Sequence, residues 1–347
     1  MTLDDPVIAG QTVLDSYLSA HIDGFRGLRK IDKFSGGQSN PTYRLTAESG
    51  IYVLRRKPFG TLLKSAHAVD REFRVMQALQ ETDVPVARVR HLCADENVLG
   101  TMFYVMDFVE GRTFWNPALP ELSRSQRAAT YDAMNRTLAA IHAVDIDAVG
   151  LTDFGKSGNY FARQLTRWVR QYRASETETV DAMDEVIRWL EAHPSPPDAA
   201  PALVHGDFRL DNMIFDPAGA TVYAVMDWEL STLGHPLADL AYQCGVLRMP
   251  AGHEHLSGLA GLDRAALGIP QEQAYIESYC ARRGLEGIDS WEFYLVFGLF
   301  RIAAIVQGVK ARALQGNASG ADAGAVGAMV QPLAETARQI AERGASS

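Results

Sequence analysis

The chain has 347 residues, 47% of them hydrophobic and 22% charged, with Lys plus Arg at 33 against Asp plus Glu at 42. That length allows about two domains, with one large core or two lobes sharing a cleft, and the balance excludes a disordered or collagen-like chain. A net charge of −9 argues against nonspecific nucleic-acid binding, while leaving room for a local basic site for a phosphorylated ligand.

The opening segment, MTLDDPVIAG, has neither a basic nor an apolar signal region, so no signal peptide is expected. In the first hundred residues, strands are predicted over 28–35, 42–47, 51–55, 89–94 and 101–108, short runs split by Gly, Pro and Asn. One helical pattern interrupts them, over 65–80, with Val69, Phe73, Met76 and Gln80 on one side. Beyond Gly111 the periodicity becomes helical. Ser123 and Gln126 have capping-box spacing, followed by Tyr131, Met134, Leu138 and Ile141. A stiff connector, 193–201, leads into short strands at 202–204, 213–215 and 221–226. Trp291, Leu295, Leu299, Ile302, Val306 and Val309 form a second helical stripe, apolar nearly all round because Phe293, Phe297 and Phe300 fill the other face. It belongs at the centre of the second lobe. Its most apolar stretch, 293–306, is interrupted by Arg301 and too short to span a bilayer. Cys93, Cys244 and Cys280 lack CxxC spacing, which suits a reducing compartment without a structural metal. The expectation is a soluble cytoplasmic α+β protein with no nucleic-acid or membrane partner and an undecided oligomeric state. A small β-rich N-lobe (1–107), a hinge at 107–112 and a larger, mainly helical C-lobe (108–347) are predicted.

The chemistry concentrates in His205-Gly206-Asp207-Phe208-Arg209-Leu210-Asp211-Asn212, between two apolar strands, with Asp227-Trp228-Glu229 after the second. Phosphoryl transfer needs a carboxylate to orient the attacking hydroxyl and oxygen ligands to hold Mg²⁺ on the phosphates. Asp207 can supply the first, while Asn212 and Asp227 can supply the metal oxygens. The order H-x-D-x-x-x-x-N then D is that of the protein kinases, with HGD for HRD and DWE for DFG.

With the segments GGQSNPTYRL, YVLRRKP, DREFRVMQAL, GNYFARQLTRW, VHGDFRLDN and VMDWELSTLGHPLADLA, the chain resembles the aminoglycoside phosphotransferase and choline kinase family. Within it, the likeness is to the phosphotransferase-like domain fused to some acyl-CoA dehydrogenases. The resemblance covers about residues 34–245 and implies a two-lobed protein-kinase-like fold, ATP and Mg²⁺ as cofactors, and a small-molecule hydroxyl acceptor.

Gly36, Gly37 and Ser39 lie between two predicted strands, where a loop could cover phosphates with its N–H groups or simply turn a hairpin. Glu72 falls on the apolar face of its helix, where a carboxylate is costly unless it meets a cation or reaches solvent at the stripe's edge. By resemblance it braces the phosphate-binding residue of the third strand, a lysine in the family. Here that position falls on Arg55, with Lys57 on the same face as the alternative; an arginine can grip phosphate in a bidentate fork. By resemblance too, Arg209 matches a catalytic-loop lysine that neutralises the transferred phosphate, Asp107 and Val109 offer backbone groups to adenine, and His205 and Asp239 support the catalytic loop. Glu229 is a further metal-ligand candidate.

Residues 150–157, GLTDFGKS, fit the P-loop pattern, but a helical stripe precedes them and Gly158-Asn159 follows, so the strand and helix of a P-loop are not expected. His253-Glu254-His255 reads as a solvated loop and His142 as a hydrogen-bonded core histidine. Too little chain separates Asp227 from His235-Pro236 for a peptide-binding activation segment. The predicted function is therefore ATP- and Mg²⁺-dependent phosphorylation of a small-molecule hydroxyl, with a hydroxylated acyl compound or acyl-CoA, an amino alcohol and an aminoglycoside as open acceptors. A nucleotide-binding pseudokinase is the alternative.

Overall fold

A computed structural model describes residues 5–34, 40–59, 68–156, 158–193, 195–250, 256–315 and 323–344. Gly36, Gly37 and Ser39 therefore lie outside the described residues, as does the His253-Glu254-His255 run. The chain divides into two compact units, one of residues 1–111 with 223–230, the other of residues 112–222 with 231–347.

The first unit is built on a five-stranded antiparallel sheet. Two short helices precede it, α1 (Pro6–Ala9) and α2 (Gln11–His21), and then come β1 (Leu28–Lys33), β2 (Thr42–Ala47), β3 (Gly50–Arg56), α3 (Val69–Leu79), β4 (Val89–Cys93), α4 (Glu96–Leu99) and β5 (Phe103–Asp107). The strand order is β1-β2-β3-β5-β4. Period-two alternation sorts its side chains between two faces. Tyr43, Leu45, Leu54, Phe103 and Val105 join Leu14 and Leu18 of α2 in one buried cluster. Arg55 and Tyr104, paired in register, both contact Glu72 of α3. The five strands match the sequence expectation to within two residues at each end. The two N-terminal helices do not: the sequence showed only the α3 pattern in this region.

The second unit is mainly helical: α5 (Arg124–Ala143), α6 (Tyr160–Ser175), α7 (Asp181–Ala192), β6 (Ala202–Val204), β7 (Met213–Phe215), β8 (Val222–Val225), β9 (Thr232–Gly234), α8 (Leu237–Arg248), α9 (Arg264–Leu267), α10 (Glu272–Arg283), α11 (Trp291–Leu314), α12 (Ala323–Gly327) and α13 (Val330–Gly344). Strand β8 carries the chain out of this unit at its second residue and β9 brings it back. Ser123 and Gln126 form the expected capping box at the start of α5, which satisfies two of the first-turn amides. Helix α11 packs against α6, α7, α8 and α13 and is buried along most of its length. It is long and apolar enough to cross a membrane by length and composition, yet 83% of its most apolar window is covered by the rest of the chain. An all-round apolar helix is what a unit of this size needs at its centre.

The P-loop match falls where the fold cannot use it. Residues 151–156 form turns after α5 rather than the end of a strand. The first amides of α6, at Asn159 and Tyr160, donate to the Asp198 carboxylate. Gly155 is required by packing: a Cβ there would lie 2.5 Å from the Leu233 amide nitrogen of β9.

Candidate active site

Two groups of polar residues stand out, one in each unit. In the first unit Arg55 extends from β3 to three carboxylates. Its Nε lies 2.9 Å from Oε2 of Glu72, its Nη2 2.7 Å from Oδ1 of Asp227, and the same Nη2 3.9 Å from Oε2 of Glu229. Glu72 is 1% exposed, so its position on the apolar face of α3 is met by a cation and not by solvent. Burial, joined by the Asp227 and Glu229 carboxylates, pushes the Glu72 carboxyl up to about 8 against the pull of Arg55. Burial disfavours the charged Arg55, but Glu72 and Asp227 outweigh it and hold the guanidinium protonated. Lys57 lies instead 3.5 Å from Asp70, in the first turn of α3. Of the two basic candidates, only Arg55 meets Glu72.

Asp227 owes its position to local geometry. It adopts a left-handed backbone at φ 61°, a conformation that Asp tolerates better than most residues. The turn is pinned by the Trp228 indole N–H, which donates to the Val225 carbonyl at 3.0 Å, and by the Val225 amide, which donates to the Pro85 carbonyl at 2.8 Å. Carboxylate oxygens of Glu72, Asp227 and Glu229 all lie within 4.8 Å of one another. An all-oxygen donor set at this spacing fits a hard divalent cation such as Mg²⁺. Asp107, at the end of β5, gives its carboxylate to Arg90 at 2.7 and 2.8 Å. Its amide donates to the Arg88 carbonyl at 2.9 Å, so its carbonyl is the backbone group it can offer a base. Val109 follows, half-buried, just past the strand.

In the second unit the catalytic-loop candidates hang on Asp239, in the first turn of α8. The Asp239 carboxylate accepts from the His205 amide at 2.7 Å and from the Gly206 amide at 2.9 Å. Gly206 sits at φ 85°, where a side chain would be strained. Nε2 of the buried His142 lies 3.4 Å from Asp239, and its Nδ1 lies 2.7 Å from the Tyr279 hydroxyl. Burial lowers the His142 pKa; a neutral ring then donates from Nε2 to the carboxylate and accepts from Tyr279. Burial also works to raise Asp239, but the hydrogen bonds from His142 and the Gly206 amide outweigh it and keep the carboxylate ionised. His205 itself accepts from the Asp207 amide at 3.2 Å.

Asp207 is held at both carboxylate oxygens. The Tyr242 hydroxyl donates to Oδ1 at 2.5 Å and Asn212 Nδ2 donates to Oδ2 at 2.9 Å. Asn212 Nδ2 also reaches the Asp207 carbonyl at 2.9 Å, which leaves the amide oxygen, the atom a cation would take, outside that pairing. Burial acts to raise the Asp207 pKa, but Arg209, the Tyr242 hydrogen bond, His205 and Arg301 together hold it below 3.8, its ordinary value. Arg209 is paired in turn with Asp211, through Nε at 2.8 Å and through Nη2.

A cavity of about 50 Å³, open to solvent, borders this loop, lined by Arg209, Asp211, Tyr242, Trp115, Leu210, Met249, Ile302 and neighbours. Its only charged lining residues among those described are the paired Arg209 and Asp211, so the lining is formally neutral and largely apolar. Sequence reasoning missed Tyr242, which lies in a helix buried on every side, and the role of Arg301, whose Nη2 donates to the Gly206 carbonyl. A lone arginine in an otherwise apolar helix was the available signal for the second.

These arrangements belong to a fold already described in other proteins. Residues 30–293 match the model of the phosphotransferase enzyme family, and the chain belongs to that family. It has the kinase-like fold of the aminoglycoside phosphotransferases. A Ralstonia eutropha protein provisionally named an aminoglycoside phosphotransferase is 46% identical, covers 96% of this chain and 98% of its own, and superposes with a TM-score of 0.88. Spectinomycin phosphotransferase, solved with ADP and spectinomycin, shares the fold at a TM-score of 0.64 and 14% identity, over 95% of this chain and 98% of its own. Mouse acyl-CoA dehydrogenase family member 10 is 46% identical over 96% of this chain but only 31% of its own length. The Arabidopsis probable acyl-CoA dehydrogenase IBR3 is 43% identical over 89% of this chain and 39% of its own. The chain thus spans less than half the length of these curated relatives.

Proposed function

We propose that the chain transfers the γ-phosphoryl group of ATP, with Mg²⁺, to a hydroxyl group on a small molecule whose body is apolar. A hydroxylated acyl compound fits better than an aminoglycoside. The observation that carries this reading is Asp207, an ionised carboxylate held by Tyr242 and Asn212 beside a neutral, apolar cavity. A polycationic acceptor calls for a cluster of uncompensated carboxylates; an acyl body calls for Leu210, Met249, Ile302 and the Trp115 face.

In this mechanism Asp207 accepts a hydrogen bond from the acceptor hydroxyl and orients its oxygen toward the γ-phosphorus. As the new O–P bond forms, the bond to the ADP oxygen breaks and the hydroxyl proton passes to Asp207. Mg²⁺ would be held by Asp227 and Asn212, with Glu229 as a further oxygen, and supplies neutralisation of the phosphate charge. Arg55, braced by Glu72, grips the nucleotide phosphates. Arg209 is placed to offset charge on the group in transit.

Asp207→Ala tests the assignment, with ATP and a panel of hydroxyl acceptors spanning acyl, amino-alcohol and aminoglycoside bodies. The expected result is transfer to an apolar hydroxyl compound by the parent, a loss of about 10²–10⁴-fold in the variant, and largely retained ATP binding. Transfer at the parent rate by the variant would refute Asp207 as the base. No transfer by a folded, ATP-binding parent would favour the pseudokinase reading.

A further inference from the structure

We infer that Arg301, Arg167 and Arg170 form an oxyanion-binding site in the second unit, beside the catalytic loop, which takes a carboxylate or phosphate group carried by the acceptor. That the anion belongs to the acceptor rests on the phosphotransferase reading above; the site itself rests on the geometry that follows.

Arg301 is 6% exposed on α11. Its Nη2 donates to the Gly206 carbonyl, while its Nε is buried without a hydrogen-bond partner. Among the described residues no carboxylate lies within ion-pairing distance of it. A buried guanidinium is costly unless charge or hydrogen bonds meet it. What meets this one is two aromatic rings: its central carbon lies 5.4 Å from the Trp168 ring centroid and 5.5 Å from that of Tyr242. These cation–π contacts offset part of that cost, and the Asp207 carboxylate, which is not ion-paired to Arg301 but feels its charge, offsets a further part.

A second guanidinium shares the same ring. Arg167, on α6, has its central carbon 5.4 Å from the Trp168 centroid. It too makes no ion pair with a described carboxylate. Although it is exposed, partial desolvation lowers its pKa, and so do the positive charges of Arg301 and Arg170. Three residues after Arg167, Arg170 lies on the adjacent helical turn and is exposed. Asp239, the buried carboxylate nearby, is already engaged by His142 and by the His205 and Gly206 amides. In a chain with a net charge of −9, three neighbouring guanidiniums, one buried and two exposed, none ion-paired to a described carboxylate, offer an anion from outside a place to bind. Arg301 acts electrostatically on Asp207 and bonds the carbonyl of the residue before it. An acceptor anchored by its oxyanion here would carry its hydroxyl toward that carboxylate, and a polycationic acceptor would be repelled.

The test is the melting temperature of the full chain titrated separately with inorganic phosphate and with butyrate, each against sodium chloride of equal ionic strength. Binding to the native state raises the melting temperature saturably. Arg167→Gln combined with Arg170→Gln changes exposed residues, so the variant keeps its fold. Arg55→Gln controls for phosphate bound at the nucleotide site. The expected result is a saturable rise with phosphate, butyrate or both, weakened at least tenfold in the double variant and kept in Arg55→Gln. A phosphate-only response identifies a phosphate group, and a butyrate-only response a carboxylate. No saturable rise with either, or a rise unchanged in the double variant, overturns the site. ATP binding is measured on the same preparation: intact ATP binding without an anion response sinks the site alone, and the reverse sinks the phosphotransferase reading alone.

Discussion

Tyr242→Phe removes one oxygen from the second unit and little else. The ring is buried, its shape is kept, and the lost hydroxyl is the one that donates to Asp207 Oδ1 at 2.5 Å. A hydrogen bond to a charged group contributes about 1.5–3 kcal/mol, and each 1.36 kcal/mol is one pKa unit. Losing it should raise the Asp207 pKa but not abolish its lowering, since Arg209, His205, Arg301 and the Asn212 bond remain. The sign follows from which form the bond favours: the hydroxyl stabilises the carboxylate, so its removal favours protonation at higher pH. The assay is kcat/KM against pH with a hydroxyl acceptor, or basal ATP hydrolysis with water in that place. In the parent, the limb set by Asp207 lies below pH 3.8 and outside the working range. In Tyr242→Phe it should move to higher pH, with the plateau rate at neutral pH reduced less than in Asp207→Ala. An acid limb that stays put while the plateau falls would refute the reasoning, because Tyr242 would then act on something other than the base.

Two further outcomes follow from the same contacts. Arg55→Lys replaces a fork that meets Glu72 and Asp227 at once by a single ammonium, so one charge-assisted bond of about 1.5–3 kcal/mol is lost. ATP binding by calorimetry should weaken roughly ten- to a hundredfold, whereas unchanged affinity would remove Arg55 from the phosphate site. His235 is buried against Phe161 and Tyr294 and accepts from the Leu237 amide at Nδ1; burial lowers its pKa from 6.5 to about 4. A folded-state pKa below the unfolded one gives stability that is present above pH 6.5 and lost as pH falls toward 4, up to about 3 kcal/mol. Urea denaturation of His235→Gln should show a flatter slope across that window, and a slope equal to the parent's would contradict it.

Much of this architecture was legible in the residues, for reasons of period and cost. Short runs of strand-like composition, split by Gly, Pro and Asn, marked β2 and β3, and period two placed Arg55 on one face of its strand. The apolar stripe of α3 made Glu72 conspicuous, because a carboxylate there must find a cation. Other features were hidden. Helix α1 is four residues long and α2 buries only Leu14 and Leu18, too little stripe to read. Helix α8 is buried on all sides, so no periodicity singles out Tyr242, and its partner Asp207 lies 35 residues away. Arg301 could be read as an interruption in an apolar run, but its two aromatic neighbours and its unpartnered Nε are long-range facts. The grouping of 223–230 with the first unit is likewise a product of tertiary contact: nothing in the local pattern separates that segment from β9.

The most direct measurement of the central claim is calorimetric titration of ATP into the chain with and without Mg²⁺, alongside Asp227→Ala. Binding that tightens with Mg²⁺ in the parent and loses that gain in the variant is the result expected if Asp227 holds the metal on the phosphates. A well-folded parent that binds no ATP under either condition, or a variant with the full Mg²⁺ dependence of the parent, would contradict it.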